Sequence, residues 1–268
     1  MADNLPNRSK IIVKDREQLM RLISEIIEKE GPNCDLNFID VSGLDDLSGV
    51  FSYPNQIFNG DVSQWDVSHV MNMSHLFFNS QFTGDISRWD VSNVTDMSSM
   101  FERAAFNGDI CLWNVSNAEK MHAMFLDSQF TGDISQWDVS RVTNMSHMFW
   151  KSRFNGDISQ WNVSNVVTMY GLFAYSQFNG DVSQWNTSLV RDMAFMFLCS
   201  QFNGDISQWD VSSVADMSWM FWKSQFNGDI SQWNVSEDSN MKLMFCGSPL
   251  ELENRIPKWY KPWVFMGK

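Results

Sequence analysis

A row of aspartates is the feature of this sequence with the clearest chemical potential. Each follows a glycine and recurs every 24 residues, at Asp61, Asp85, Asp109, Asp133, Asp157, Asp181, Asp205 and Asp229. If the repeats stack, these carboxylates lie roughly 5 Å apart and repel one another unless something occupies them. Calcium is one candidate, but one Gly-Asp per repeat does not match the paired GGxGxDxUx loops of calcium-binding β-helices. We therefore interpret each aspartate as an acceptor for backbone N–H groups in its own turn and expect no metal site.

Cysteine and histidine offer little further chemistry. The cysteines occupy different places in the repeat and form no CxxC pair, at Cys34, Cys111, Cys199 and Cys246. This spacing favours neither a structural zinc site nor a disulfide framework. The histidines form no HExxH motif or Ser/His/Asp set, and the chain has no phosphate-binding glycine loop. We predict no catalytic residues, no cofactor and no enzymatic activity.

The aspartates belong to a 24-residue repeat that extends through most of the chain. Tryptophan keeps the same step at Trp65, Trp89, Trp113, Trp137, Trp161, Trp185, Trp209 and Trp233. No insertion or deletion breaks this register between residues 58 and 248, which gives eight units. A degenerate partial unit, residues 39–51, precedes them with Ile39 in the tryptophan place. One such unit cannot bury its own apolar side chains, so the units must stack on each other.

The apolar spacing within one unit predicts its local structure. The run Ile86-x-x-Trp89-x-Val91-x-x-Val94 has the LxxLxL spacing of leucine-rich repeats, which is typical of a short strand followed by a turn. From Val94 onwards the spacing becomes i, i+3, i+6, i+7, which indicates a helical turn. We therefore predict an α/β repeat solenoid of the leucine-rich-repeat-like class. It would have a strand near each tryptophan and a helical turn near each SxMF.

Both ends of the chain are predicted to cap the stack. Residues 1–38 form an N-terminal segment whose apolar face, over residues 14–30, predicts a capping helix with Leu19, Leu22, Ile23, Ile26 and Ile27. Residues 39–248 form the solenoid. Residues 249–268 form a C-terminal cap with apolar side chains at Ile256, Trp259, Tyr260, Trp263 and Phe265. Caps of this kind cover the exposed ends of a repeat array.

The composite unit FNGDISQWDVSNVTDM with its following SxMF resembles the BspA-like leucine-rich repeat family of bacterial surface proteins. The resemblance covers residues 39–248. It implies surface exposure, adhesion and protein binding, with no catalytic residues. The N-terminal sequence contains no apolar run of the kind found in secretion signals. The sequence by itself therefore suggests the cytoplasm, whereas the resemblance suggests the cell surface or secretion.

Charge limits the class of partner. The net charge is −13, and residues 39–248 hold 23 acidic and 9 basic residues. A nucleic-acid-binding protein would have the opposite sign, and an anionic membrane surface would repel this chain. We expect no nucleic acid and no membrane insertion. An acidic surface is compatible with a basic protein partner, and it also aids solubility.

Binding residues are predicted where the units differ. Two positions of the SxMF segment, three residues apart, become large and apolar towards the C-terminus, at Phe195, Leu198, Trp219, Trp222 and Leu243. An exposed apolar patch of this kind usually marks a contact surface, and aromatic residues are frequent anchors there. The alternative is that these side chains fold over the helical layer or pack against the C-terminal cap.

We therefore predict a non-enzymatic, protein-binding repeat scaffold, such as an adhesin or a secreted effector. Two alternatives stay open at this point. An acidic decoy that inhibits a basic or nucleic-acid-binding protein would require the acidic residues to form one dense face. A calcium-stabilised structural rod would require the aspartate row to bind metal. The protein partner is not identified by the sequence, and we expect the chain to be a monomer.

Overall fold

A computed structural model describes residues 8–261 of the chain. Its regular elements lie close to the two ends: strand β1 (Ile11–Ile12), helix α1 (Arg16–Glu30), strand β2 (Ile39–Asp40) and helix α2 (Pro249–Leu252). Strand β1 pairs with β2 in parallel. Between β2 and α2, the described chain consists of turns joined by isolated β-bridges.

Helix α1 begins two residues later than the sequence indicated and covers the first unit. Its N-cap is Asp15, whose side chain accepts the N–H of Gln18, and Gly31 ends it in a positive-φ conformation. Its buried residues are Leu19, Ile23, Ile26 and Ile27, with Leu22 partly buried against the same core. Buried Asn55 joins the helix to the first coil, because its Nδ2 donates to the carbonyl oxygens of Met20 (3.2 Å) and Val50 (3.1 Å).

The tryptophans hold successive units together. All eight are only 3–5% exposed, and Trp65 stacks on Trp89 with ring centroids 6.3 Å apart. Each Nε1–H donates to the carbonyl oxygen of a residue in the preceding coil, as Trp137 does to Ile110 at 3.1 Å. These bonds give every indole N–H a partner inside an otherwise apolar core.

The C-terminal cap continues the tryptophan column. Trp259 stacks on Trp233 with ring centroids 6.0 Å apart, and its Nε1–H donates to the carbonyl oxygen of Ile230 at 2.9 Å. Trp259 therefore takes the ninth place in the column, and Ile256 and Tyr260 also pack against the core. The two other residues expected in this cap, Trp263 and Phe265, lie outside the described residues.

Two phenylalanine columns fill the rest of the interior. Rings of the SxMF phenylalanines stack at 5.7–5.8 Å along the units, as Phe125 does on Phe149. The phenylalanine that opens each unit packs against this column at 4.2–4.6 Å, as Phe130 does against Phe125 at 4.4 Å. Both columns are inaccessible to solvent. Units 24 residues apart thus lie directly on one another; the leucine-rich-repeat-like solenoid class stays a prediction.

The expected strand near each tryptophan and helical turn near each SxMF were wrong. In the SxMF segment of the second unit, Met97, Ser99, Phe101 and Arg103 donate their N–H groups to carbonyls of the next unit at 2.8–3.0 Å. The N–H groups between them close four-residue turns. The N–H of Met100, for example, donates to the carbonyl oxygen of Met97 at 3.2 Å. Consecutive β-turns repeat apolar residues at i and i+3, as a helix does, so the spacing alone does not separate the two.

Two positions of each SxMF segment adopt a positive φ. The first includes Ser99, Phe195 and Trp219, and the second includes Arg103 and Lys223, with φ between 50° and 60°. A positive φ at the third residue of a β-turn is what a type II turn requires. In none of the eight units does a β-branched residue stand at either position. This agrees with the steric cost of that conformation for residues branched at Cβ.

Replacing Arg103 (φ 54°) by valine is expected to lower the free energy of unfolding by about 1–2 kcal/mol, because a β-branched residue fits the left-handed region poorly. Arg103→Gly, the matched variant, should leave stability unchanged or slightly raised. Denaturant unfolding of both proteins measures the difference. Equal stability of the valine and glycine variants would contradict the left-handed conformation at this position.

Candidate interaction surface

The aspartate row acts within its turns. In all eight units, the aspartate Oδ1 accepts the N–H of the residue two places later, at 2.8–3.0 Å. This confirms the interpretation of the row as turn acceptors. These hydrogen bonds lower the pKa of Asp85, Asp157 and Asp205. Within residues 8–261, no group of three or more acidic, cysteine or histidine side chains could hold a metal ion.

An asparagine ladder runs beside this row. The Oδ1 atoms of Asn155, Asn179 and Asn203 each accept the backbone N–H of the equivalent residue one unit later, at 2.7–2.8 Å. At the C-terminal end the guanidinium of Arg255 donates to Asn227. The C-terminal cap therefore ends the ladder, and the asparagine side chains of this face form hydrogen bonds within the protein.

The residues predicted to bind a partner do not all reach the surface. Phe195, Trp219 and Trp222 are half-buried, and Leu243 is exposed. Leu198 is buried, with 5% of its surface exposed, so its assignment as an exposed contact was wrong. At the same position Ala174 is buried and Leu126 is half-buried, so apolar side chains at this position pack against the stack instead of projecting from it.

The structure extends the aromatic part of this surface to neighbouring units. Phe195 stacks on Trp219 (5.9 Å, 10° between rings), and Trp219 contacts Trp222 at 5.6 Å. Tyr170 lies 5.2 Å from Phe195, and Tyr175 lies 5.5 Å from Trp150. His147 joins the two groups, because its ring lies 5.0 Å from Trp150 and 4.8 Å from Tyr170. We call Trp150, Tyr170, Tyr175, Phe195, Trp219 and Trp222 the aromatic ridge.

Sequence reasoning missed three members of the aromatic ridge. Tyr170 and Tyr175 stand at two other positions of the unit, at which the second unit has Ser98 and Arg103. Trp150 shares the position of Trp222 but lies three units earlier, and its neighbouring units have no aromatic residue at that position. Comparing the residue at every position of every unit with the consensus of the repeat would have singled out all three.

Gly171 makes room for one side of the ridge. It has a φ of 61°, which Phe195 and Trp219 share at the same position, so the backbone alone does not demand glycine there. A Cβ at residue 171 would lie 2.7 Å from the ring of Trp150 and 3.0 Å from that of His147. The missing side chain therefore allows the rings of Trp150 and His147 to pack over the backbone of residue 171 in the following unit.

Cations and titratable groups also border the ridge. Lys223 lies 4.3 Å from the ring centroid of Trp222, and Lys151 lies 5.9 Å from that of Tyr175. Burial lowers the pKa of His147 and raises that of Tyr175. The ridge is thus a surface of half-buried rings and the exposed Tyr175, bordered by two lysines.

Comparison with protein families supports the repeat reading. The model of the family described as "Mycoplasma protein of unknown function, DUF285" matches residues 22–131, 128–223 and 152–259. The chain belongs to this DUF285 family. Two of the matches begin at residues 128 and 152, which are one unit apart, so the family model fits the array in more than one register. The chain is therefore a repeat protein of the DUF285 family.

No curated protein and no solved structure matches this DUF285 chain. Among residues 8–261, every helix is too short or too polar to cross a lipid bilayer.

Proposed function

We propose that this protein is a non-enzymatic, protein-binding scaffold and that the aromatic ridge is its contact surface. The observation that carries the proposal is the continuous run of half-buried rings from Trp150 to Trp222, outside the columns that form the core. Tryptophan and tyrosine are the residues most enriched among binding hot spots. Repeat arrays commonly use fixed residues for the core and varied residues for ligands.

Rigidity adds to this argument. A partner that binds flexible side chains pays the entropy of ordering them, whereas the ridge rings already pack on one another. Phe195 and Trp219 also lie in turns whose backbone N–H groups donate to the next unit. The N–H of Phe195, for example, donates to the carbonyl oxygen of Ser218 at 2.9 Å. The ridge is therefore pre-organised for binding.

We infer that the array is a solenoid of the leucine-rich-repeat-like class, as the resemblance to BspA-like surface repeats suggests. The same resemblance supports a place at the cell surface or outside the cell, with an adhesin or secreted effector as the kind of protein. The acidic decoy is the second candidate. It is favoured by exposed aspartates at two positions of the tryptophan-containing segment, including Asp85 and Asp90 in one unit.

Replacing two of the three ridge tryptophans, Trp219→Ala and Trp222→Ala, is expected to weaken binding of a protein partner by about 2 kcal/mol or more. Alanine already stands at these positions in other units, as Ala123 (φ 54°) and Ala174. The turns should therefore remain, and the unfolding temperature should stay close to that of the unchanged protein. A partner recovered with the full chain, followed by calorimetric titration, gives the measurement.

Leu126→Ala is the matched control, since Leu126 has the position of Trp222 in a unit outside the ridge. It should bind as the unchanged protein does. Full binding by the double tryptophan variant would place the contact surface elsewhere, with the exposed aspartate face as the next candidate. Early unfolding of that variant would assign the two tryptophans to the core.

A further inference from the structure

The position before the buried methionine that directly precedes each SxMF changes its charge beside the ridge. In four of the eight units this residue is neutral, at Asn72, Asn144, Thr168 and Asn240, and in the third unit it is the basic Lys120. In the second unit it is Asp96, whose carboxylate pairs with Lys120 of the next unit at 3.2 Å. In the sixth and seventh units it is Asp192 and Asp216, so two carboxylates follow one another in the stack.

These two carboxylates lie at the ridge and lack a cation. Asp192 accepts the N–H of Ala194 at 2.9 Å, and Asp216 accepts the N–H of Ser218 at 2.7 Å, directly before the ridge residues Phe195 and Trp219. Neither takes part in an ion pair among residues 8–261.

The nearby cations are engaged elsewhere. Arg191 donates to the carbonyl oxygen of Ser213 at 3.2 Å, and Lys223 lies over Trp222. Asp216 receives a neutral hydrogen bond instead, from Nδ2 of Asn240 at 2.9 Å. Two like charges thus stand at the turns that carry Phe195 and Trp219, and neither forms an ion pair among residues 8–261.

Electrostatics agrees with this geometry. Burial raises the pKa of Asp192, and the charge of Asp216 adds to the effect. Burial also raises the pKa of Tyr170, with further contributions from the charges of both aspartates. A partly desolvated carboxylate without a cation is costly to the free protein, and a partner that supplies one recovers this cost.

Resting on the proposed function, we propose that the ridge receives a basic segment of its protein partner. An arginine or lysine side chain of that segment lies over Phe195 and Trp219 and beside Asp192 and Asp216. A cation held over an aromatic face and near a carboxylate gains from both, and arginine also stacks on the rings. The net charge of −13 adds long-range attraction for such a segment.

Tetraarginine is a suitable probe, with tetraglutamate as the peptide of opposite charge. Calorimetric titration of the full chain at low ionic strength should detect tetraarginine and not tetraglutamate. The double variant Asp192→Asn with Asp216→Asn should weaken tetraarginine binding on the order of tenfold or more. Asparagine keeps the oxygen that accepts the turn N–H, as Asn72 and Asn144 do at the same position for Ser74 and Ser146.

The matched control is Asp138→Asn with Asp210→Asn, which removes the same charge from exposed aspartates of the tryptophan-containing segment. Asparagine stands at that position in other units, as Asn114 and Asn162 do, and accepts the equivalent N–H. The control should bind tetraarginine within about twofold of the unchanged protein, since exposed single charges contribute little.

Equal weakening in both double variants would overturn the proposal, because binding would then follow net charge alone. Absence of tetraarginine binding would also overturn it. If in that case Trp219→Ala and Trp222→Ala still weaken binding of the protein partner, the proposed function stands and only the basic character of the partner is refuted.

Discussion

Replacing Trp137 by alanine is expected to lower the free energy of unfolding by about 3–5 kcal/mol. The ring is 3% exposed and packs 6.2 Å from Phe125 in the middle of the array, where both neighbouring units are fixed. Its loss leaves a cavity and deprives the carbonyl oxygen of Ile110 of its 3.1 Å hydrogen bond. Denaturant unfolding followed by circular dichroism measures the change.

Leu112→Ala is the control for Trp137→Ala, because Leu112 is 88% exposed and should change stability by less than about 0.5 kcal/mol. Trp137→Phe separates packing from hydrogen bonding, since it keeps a ring but loses the N–H. We expect it to cost less than the alanine variant. An alanine variant as stable as the Leu112 control would show that the tryptophan column does not join the units.

Gly60→Ala should cost a similar amount, about 3–5 kcal/mol, for a different reason. A Cβ at this residue would overlap the backbone carbonyl of Cys34, which cannot move aside as a side-chain end can. The segment on either side is fixed by two backbone hydrogen bonds, Asn59 to Pro32 (2.8 Å) and Asp61 to Cys34 (3.2 Å). Relief of the overlap would break bonds that join the first unit to the segment after α1.

Gly132→Ala is the matched comparison, because Gly132 is the equivalent glycine three units further along the array. A Cβ there would contact the ring edge of Phe130 at 2.8 Å, whereas the nearest backbone atom, the carbonyl oxygen of Gly108, is 3.6 Å away. We expect a smaller loss, of about 1–3 kcal/mol, typical of overpacking. Urea unfolding of both variants decides the order; a larger loss for Gly132→Ala would contradict the account of the first junction.

Features fixed by one residue type at one place in the unit could be predicted from the sequence. The tryptophan column, the aspartate turns and helix α1 belong to this group. Each can be inferred from the residue types within one unit or one helix, through burial, Asx hydrogen bonding and amphipathic spacing respectively. The strand and helical turn could not be predicted in this way. Met97, Met100 and Phe101 have the spacing of a helical face, yet their N–H groups bind the next unit or close short turns.

The candidate surface was predicted in part, for a related reason. Phe195, Trp219 and Trp222 stand out as large residues at variable positions, and the structure brings their rings together. Tyr170 joins them from another position of the unit, because neighbouring coils place that position beside the stack. The depth of Leu198 depends on the size of side chains in adjacent units, so the pattern of one unit could not reveal it.

The position of the ridge within the array gives the first units a separate role. No ridge residue precedes Trp150, so the units between helix α1 and that residue contribute the repeating core alone. Each unit adds roughly 5 Å to the stack, and the register has no breaks between residues 58 and 248. Gain or loss of a whole unit between helix α1 and Trp150 would therefore move the aromatic ridge relative to the N-terminal end in fixed increments, while leaving both caps and the ridge unchanged.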